Sequence, residues 1–177
     1  MQSRRGREIV VRGLGARAQT GILTCGPLVL ACAVGRSGRR VLKREGDGAT
    51  PIGRWPVREV FYRPDRMRRP PTRLKTRPIR PRDGWCDAPG DRNYNRAVAL
   101  PYPASAETLW REDRLYDLVL VLGYNDRPRV QGRGSAVFLH LTAEELAPTA
   151  GCVALRRRDA LRLIQHLAAG DRLHVTA

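Results

Sequence analysis

The sequence predicts a mainly β domain with one or two short helices, on two observations. The chain is a succession of short β-rich runs punctuated by Gly and Pro. Only Asp159 to Ala169 repeats its apolar residues, Ala160, Leu163 or Ile164, and Leu167, at helical spacing, and Gly170 supplies its stop.

Taken in order, Glu8 to Arg12 is the first strand candidate. Gly21 to Cys25 and Leu28 to Val34 form a hairpin about Gly26-Pro27. Gly46 to Gly53 is a turn-rich loop, because its glycines and Pro51 leave no room for a helix. Trp55 to Tyr62 alternates in part and suits a strand. Arg63 to Asp83 holds nine Lys/Arg and five Pro with almost no apolar periodicity. It reads as a long exposed loop or an irregular arm, either a contact for a polyanion or substrate or a solvated connector. Gly84 to Asp87 and Asp91 to Asn95 form a polar, aromatic loop. Such residues grip polar ligands, and they also close plain tight turns. Tyr116 to Gly123 and Ala136 to Leu141 are buried strands, the second ending near His140. Thr142-Ala143-Glu144-Glu145 fits a capping box, so one helical turn is expected there. Arg172 to Thr176 closes the chain as a strand. There is no internal repeat.

The 177 residues suit one domain, spanning 1–177, with the basic stretch 63–83 as a loop within it. A hydrophobic content of 42% supplies a core, which excludes wholesale disorder. The net charge of +16 predicts attraction to polyanions: nucleic acid, acidic lipid headgroups or an acidic cell-wall polymer. No segment reaches the ~20 apolar residues that a membrane-crossing helix needs. Met1 to Arg7 resembles the basic start of a signal peptide, but the next residues do not complete one, since Ile9-Val10-Val11 is short and is broken by Arg12. Four cysteines are present, Cys25, Cys32, Cys86 and Cys152. If Gly26-Pro27 makes a two-residue turn, Cys25 pairs across to Leu28 and Cys32 lies near Gly21, so those two thiols do not meet. They are expected to be buried apolar residues. Neither CxxC nor a His/Cys cluster with zinc spacing occurs, so no metal is expected.

Pro148-Thr149-Ala150-Gly151-Cys152-Val153-Ala154-Leu155 is the segment that could do chemistry. Small neighbours let a carbonyl approach the sulfur. Gly151 permits a tight turn that aims successive N–H groups at one point, as an oxyanion hole requires. A thiol of pKa ~8.5 needs a base or cation to become a nucleophile. Of three histidines, His166 lies in the helix and is expected to be solvated, and His174 in the last strand is expected to be structural. His140, twelve positions before Cys152 at the end of an apolar strand, is the candidate base. A buried structural Cys and a capped His are the competing reading.

His140 followed by Thr149-Ala150-Gly151-Cys152-Val153 resembles the signature of the L,D-transpeptidase catalytic domain (YkuD-type). Upstream, Lys43-Arg44-Glu45-Gly46-Asp47-Gly48-Ala49-Thr50-Pro51-Ile52-Gly53 is similar to that family's Lys-x-Gly-Asp-Gly-x-Thr-Pro-x-Gly segment, and Gly134 to His140 to the strand carrying its base. Two motifs in the family's order, about a hundred residues apart, are far more specific than either alone. The resemblance covers roughly residues 8 to 176. It implies a mixed β-sandwich and a two-step exchange on peptidoglycan stem peptides. A donor stem acylates the cysteine, and the amine of an acceptor stem resolves the thioester. It implies Cys152 as nucleophile, His140 as base, the Gly151 and Cys152 N–H groups as oxyanion donors, and Thr149 ordering the turn. It also implies no cofactor, acylation by β-lactams of the carbapenem class, and a periplasmic or cell-wall location. A monomer and no nucleic-acid partner are expected.

The sequence departs from the family where Ala150 replaces a common His and Ala154 a common Arg, for which Arg156 is the candidate substitute. The His-to-Cys spacing is also short, as if a lid or loop were trimmed. Trp85, Asp87, Tyr94 and Asn95 lie outside the shared signature and are candidate substrate contacts. If water resolves the thioester, the protein is a carboxypeptidase or amidase on the same stems. A basic polyanion-binding module without catalysis is the alternative of a different class. A papain-like protease would place Cys before His, the reverse of the order here.

Overall fold

The first three strands form a meander. They are β1 (Glu8–Gly13), β2 (Thr20–Cys25) and β3 (Leu28–Ala33). The β2–β3 turn at Gly26-Pro27 sets the expected register, with Cys25 opposite Leu28 and Cys32 opposite Gly21. A computed structural model describes residues 6–15, 17–143 and 145–177. All four cysteines are buried and free. β4 (Arg39–Arg40) and β5 (Thr50–Pro51) make a short parallel pair inside the glycine-rich loop.

β6 (Gly53–Tyr62) is the longest strand, and β7 (Thr76–Pro78) runs parallel to its end. β8 (Asp83–Cys86), β9 (Arg96–Ala99) and β10 (Ala106–Thr108) form a separate three-stranded sheet with β8 central. β11 (Leu118–Leu122), β12 (Phe138–Thr142), β13 (Val153–Arg156), α1 (Arg157–His166) and β14 (Arg172–Val175) complete the chain. The main sheet runs β11-β12-β13-β3-β2-β1-β14-β6-β7, and β11 also pairs with β6. The sheet therefore turns back on itself around one core. Its β12–β13, β1–β14 and β6–β7 pairs are parallel and the rest antiparallel, giving the mixed β architecture expected.

Strand periodicity explains how this arrangement builds a site. Along a strand, alternate side chains face opposite sides. β11 is buried at every position. Leu118, Leu120 and Leu122 enter the large core, whereas Val119 and Val121 enter a second cluster with Phe61, Ile79, Leu109, Tyr116 and Phe138. β12 divides in the same way: Leu139 and Leu141 join the large core, and Phe138 joins the second cluster. His140, two residues from Phe138, shares its face. The second cluster includes Cys152. The helix closes the large core from outside through Ala160, Leu163 and Ile164.

Several expectations are corrected. Of the two forms expected for Arg63 to Asp83, the arm is the one observed, and it is docked on the sheet rather than exposed along its length. Leu74 and Ile79 are buried, β7 joins the sheet, and Arg63 is only 2% exposed. Arg63 donates to Asp65 and to the Arg111 carbonyl, and its guanidinium lies 3.6 Å from the Trp110 ring centroid. Gly84 to Cys86 is strand, not loop. No helical turn forms after Thr142 among the described residues: Leu146, at φ 52°, donates its N–H to the Ala143 carbonyl and closes a turn. Glu144 of the expected capping box lies outside the described residues. The helix covers Arg157–His166, earlier than Asp159 to Ala169, because Arg172 and the residues before it already turn back toward β1 and β6.

Candidate active site

Cys152 precedes β13, and β13 lies parallel to β12 with Leu139 opposite Val153 and His140 opposite Ala154. This register sets Cys152 beside Phe138. The Cys152 Sγ accepts the Phe138 N–H at 3.3 Å and donates to the Ala136 carbonyl at 3.2 Å. His140 and Cys152 line one cavity of about 520 Å³. Cys152 is 8% exposed and His140 7%.

The turn carrying the thiol is held by hydroxyls. Thr149 Oγ1 accepts the Gly151 N–H at 3.0 Å and donates to the Cys152 carbonyl at 2.6 Å. Thr50 Oγ1 donates to the same carbonyl at 3.2 Å and accepts the Gly35 N–H at 2.8 Å. Thr149 is also bridged to the β3 end: its N–H reaches the Val34 carbonyl, and its own carbonyl accepts the Arg36 N–H. Gly151 has φ 142°, and a Cβ there would lie 2.9 Å from the Ala49 carbonyl oxygen and 3.1 Å from Lys43 Nζ. Only glycine lets the loop of Lys43 to Ala49 close against the cysteine turn. Of the two main-chain N–H groups expected as oxyanion donors, that of Gly151 is bound to Thr149 Oγ1.

His140 Nδ1 is 2.7 Å from the Leu141 carbonyl oxygen. A carbonyl only accepts, so the proton is assigned to Nδ1 and Nε2 keeps its lone pair. The ring packs against Tyr116, centroids 5.3 Å apart. Burial pushes the His140 pKa down to about 4, although the Leu141 carbonyl favours the charged ring. Burial and the Glu107 charge push the Cys152 thiol up to about 12, against opposing effects of the Phe138 N–H, Lys43 and Arg111. The resting pair is therefore a thiol and a neutral imidazole, not a thiolate and an imidazolium.

Opposite charges line the cavity. Glu107 accepts from the Tyr116 hydroxyl at 2.6 Å and faces Arg111 at 3.5 Å, and burial raises its pKa. Lys43 is buried and donates to Asp47 Oδ1 at 2.8 Å. Burial alone would raise the Asp47 carboxyl. The Arg44 N–H, the Lys43 ammonium and the Ala49 N–H outweigh it and hold that carboxyl low. Arg36, Glu45 and Asp87 complete the charged lining. Lys43 lies in the upstream motif, so its place in the sequence was visible but its role was not. Arg36, Glu107, Arg111 and Tyr116 belong to no motif.

Of the candidate substrate contacts, Asp87 lines the cavity, and Trp85, Tyr94, Asn95 and Arg156 are not among its lining residues. Asn95 Oδ1 accepts from Trp85 Nε1 and from the Ala136 N–H, while its Nδ2 donates to the Tyr124 and Asn125 carbonyls. The Tyr94 hydroxyl donates to Glu45 and accepts the Gly134 N–H. These side chains brace the segment before β12, including Ala136 at φ 49°, whose carbonyl meets the sulfur. Arg156 stands at the N-cap of α1. His166 is partly buried in the helix, and His174 Nδ1 contacts Glu8 at 3.1 Å. Among the described residues no His/Cys/Asp/Glu group could hold a metal, and no helix is long and apolar enough to cross a membrane.

The family model of the L,D-transpeptidase catalytic domain (YkuD) matches residues 16–175. The chain belongs to this family. Two solved L,D-transpeptidases of Mycobacterium tuberculosis are similar to it. L,D-transpeptidase 1 shares 11% identity with a TM-score of 0.41, over 97% of this chain and 63% of that one. L,D-transpeptidase 3, solved with a faropenem-derived adduct, shares 16% with a TM-score of 0.42, over 97% and 61%. This L,D-transpeptidase domain thus spans about six tenths of each solved chain. No curated protein matches the sequence.

Proposed function

We propose that the protein is a peptidoglycan L,D-transpeptidase that exchanges peptide bonds between stem peptides through a thioester on Cys152, at the cell wall. The observation that carries this reading is the parallel β12–β13 register, which delivers His140 and Cys152 to one charged cavity. As the sulfur attacks the donor carbonyl, its proton passes to His140 Nε2 and the carbonyl electrons move to oxygen. Collapse of that oxyanion breaks the C–N bond, and His140 returns the proton to the departing amine. The acceptor amine then repeats the sequence on the thioester. The arginine-rich surface keeps the enzyme near its anionic polymer.

Mass spectrometry with imipenem and with a purified muropeptide tests the reading. One adduct is expected, on the peptide containing Thr149 to Leu155. Cys152→Ala should abolish it, and His140→Ala should slow it by about 10²–10⁴-fold. With the muropeptide, a cross-linked product marks transpeptidation and a trimmed stem marks hydrolysis. A wild-type protein that takes up neither compound would rule the reading out.

A further inference from the structure

A thioester-forming site must stabilise the oxygen that becomes negative, and it commonly aims two donors there. Here the Gly151 N–H is bound to Thr149 Oγ1, so the cysteine turn offers one main-chain donor fewer than its motif suggests. A buried cation stands beside the gap. Lys43 is 4% exposed and lines the same cavity as Cys152. Its Nζ lies 3.1 Å from the point where a Gly151 Cβ would sit.

An ammonium has three protons to give. Lys43 donates one to Asp47 at 2.8 Å, and its other contact, the Arg44 carbonyl, is at 3.5 Å. Asp47 is held independently by the Arg44 and Ala49 N–H groups, at 2.8 and 2.9 Å. The carboxylate thus fixes the lysine in place and leaves it donor capacity toward the cavity. A purely structural ion pair has no need to border the nucleophile's turn.

We propose that Lys43 is a catalytic residue, its ammonium hydrogen-bonding the oxyanion in place of the donor that Gly151 cannot supply. The inference rests on the thioester chemistry proposed above. In the step concerned, the sulfur–carbon bond forms while the thiol proton goes to His140 and the carbonyl π electrons settle on oxygen. Lys43 keeps its protons throughout. It stabilises the negative oxygen until the C=O bond re-forms and the amine leaves with the proton from His140. The lysine charge also favours the thiolate, but its main effect belongs to the oxyanion.

Two reactions of the same sulfur separate this role from a structural one. Acylation by imipenem passes through an oxyanion, whereas alkylation by iodoacetamide does not. Both rates are followed at the Cys152 peptide across pH, so that a change in thiol ionisation cancels. In Lys43→Met, acylation should fall by about 10²–10³-fold, the usual loss for one oxyanion donor, with alkylation close to wild type. Lys43→Gln serves in the same comparison if thermal melting shows that Lys43→Met does not fold. Equal losses in both reactions, or undiminished acylation, would overturn the proposal. A wild-type protein that alkylates but never acylates would instead remove the thioester chemistry, and this inference with it.

Discussion

In the proposed mechanism His140 must be neutral to take the thiol proton, and its surroundings keep it so. With its pKa pushed down to about 4 from 6.5, and the thiol up at about 12, the reactive pair stays in one protonation state across neutral pH. The acylation rate should therefore be level through neutrality and fall only as pH drops toward 4. A limb near 6.5 in the wild-type profile would show a preformed ion pair instead. The same depressed pKa links to stability. The unfolded histidine binds its proton below 6.5 and the folded one only below about 4, so stability is fully present above 6.5 and is withdrawn as pH falls between them. Circular dichroism at each pH keeps the two effects apart. Glu107 acts from the other side, since its negative charge opposes thiolate formation. Glu107→Gln keeps an acceptor for Tyr116 and removes that charge. Its iodoacetamide pH profile should shift to lower pH, with about tenfold faster alkylation for each unit gained below the thiol pKa. An unshifted profile would mean that Glu107 does not act on the sulfur.

The elements that were legible in the sequence are those whose signal is local. The β2–β3 hairpin follows from Gly26-Pro27 between two apolar runs, and its register is the one that turn requires. β11 and β12 were visible as apolar runs, although a fully buried strand does not reveal which of its faces meets which core. The docking of the arm from Arg63 was not legible, because its partners are distant in sequence. Arg63 donates to the Arg111 carbonyl, Arg66 pairs with Glu112 and Asp117, and Arg82 donates to the Leu100 carbonyl. Charge without periodicity reads as solvated surface until those partners are known. The roles of Trp85, Tyr94 and Asn95 were open in the sequence for a related reason, since aromatic and amide side chains brace a backbone, as these do, as readily as they bind a ligand. Arg63 gives the arm a test. Truncation to Ala removes buried charge-assisted hydrogen bonds and the stacking on Trp110, and should cost about 2–3 kcal/mol. Urea unfolding of Arg63→Ala should show that loss. A midpoint equal to wild type would mean that the arm is not anchored there.

For the molecule as a whole, the candidate site was legible as chemistry but not as an environment. Gly151-Cys152 and His140 stand out in the chain, whereas burial of both and the charges of Lys43, Glu107 and Arg111 around them depend on strands far apart in sequence. Net charge is the opposite case: +16 is read directly from composition, and folding only decides where it is displayed. Arg63 is buried and Arg66 is largely engaged with Asp117 and Glu112, so neither can serve as a free surface charge. Arg68, Arg69 and Arg80 of the same arm are exposed. An anionic polymer such as a cell wall is attracted over about a Debye length, ~8 Å at physiological salt, so only displayed charges contribute. Binding to purified cell wall should weaken steadily as sodium chloride rises. A triple variant, Arg68→Ser, Arg69→Ser and Arg80→Ser, should bind more weakly at low salt and lose less on salt addition. Its acylation by imipenem should match wild type, because none of the three lines the cavity. Wall binding indifferent to salt would show that the charge does not hold the enzyme to its polymer. A triple variant that binds as wild type would place the attachment elsewhere on the surface.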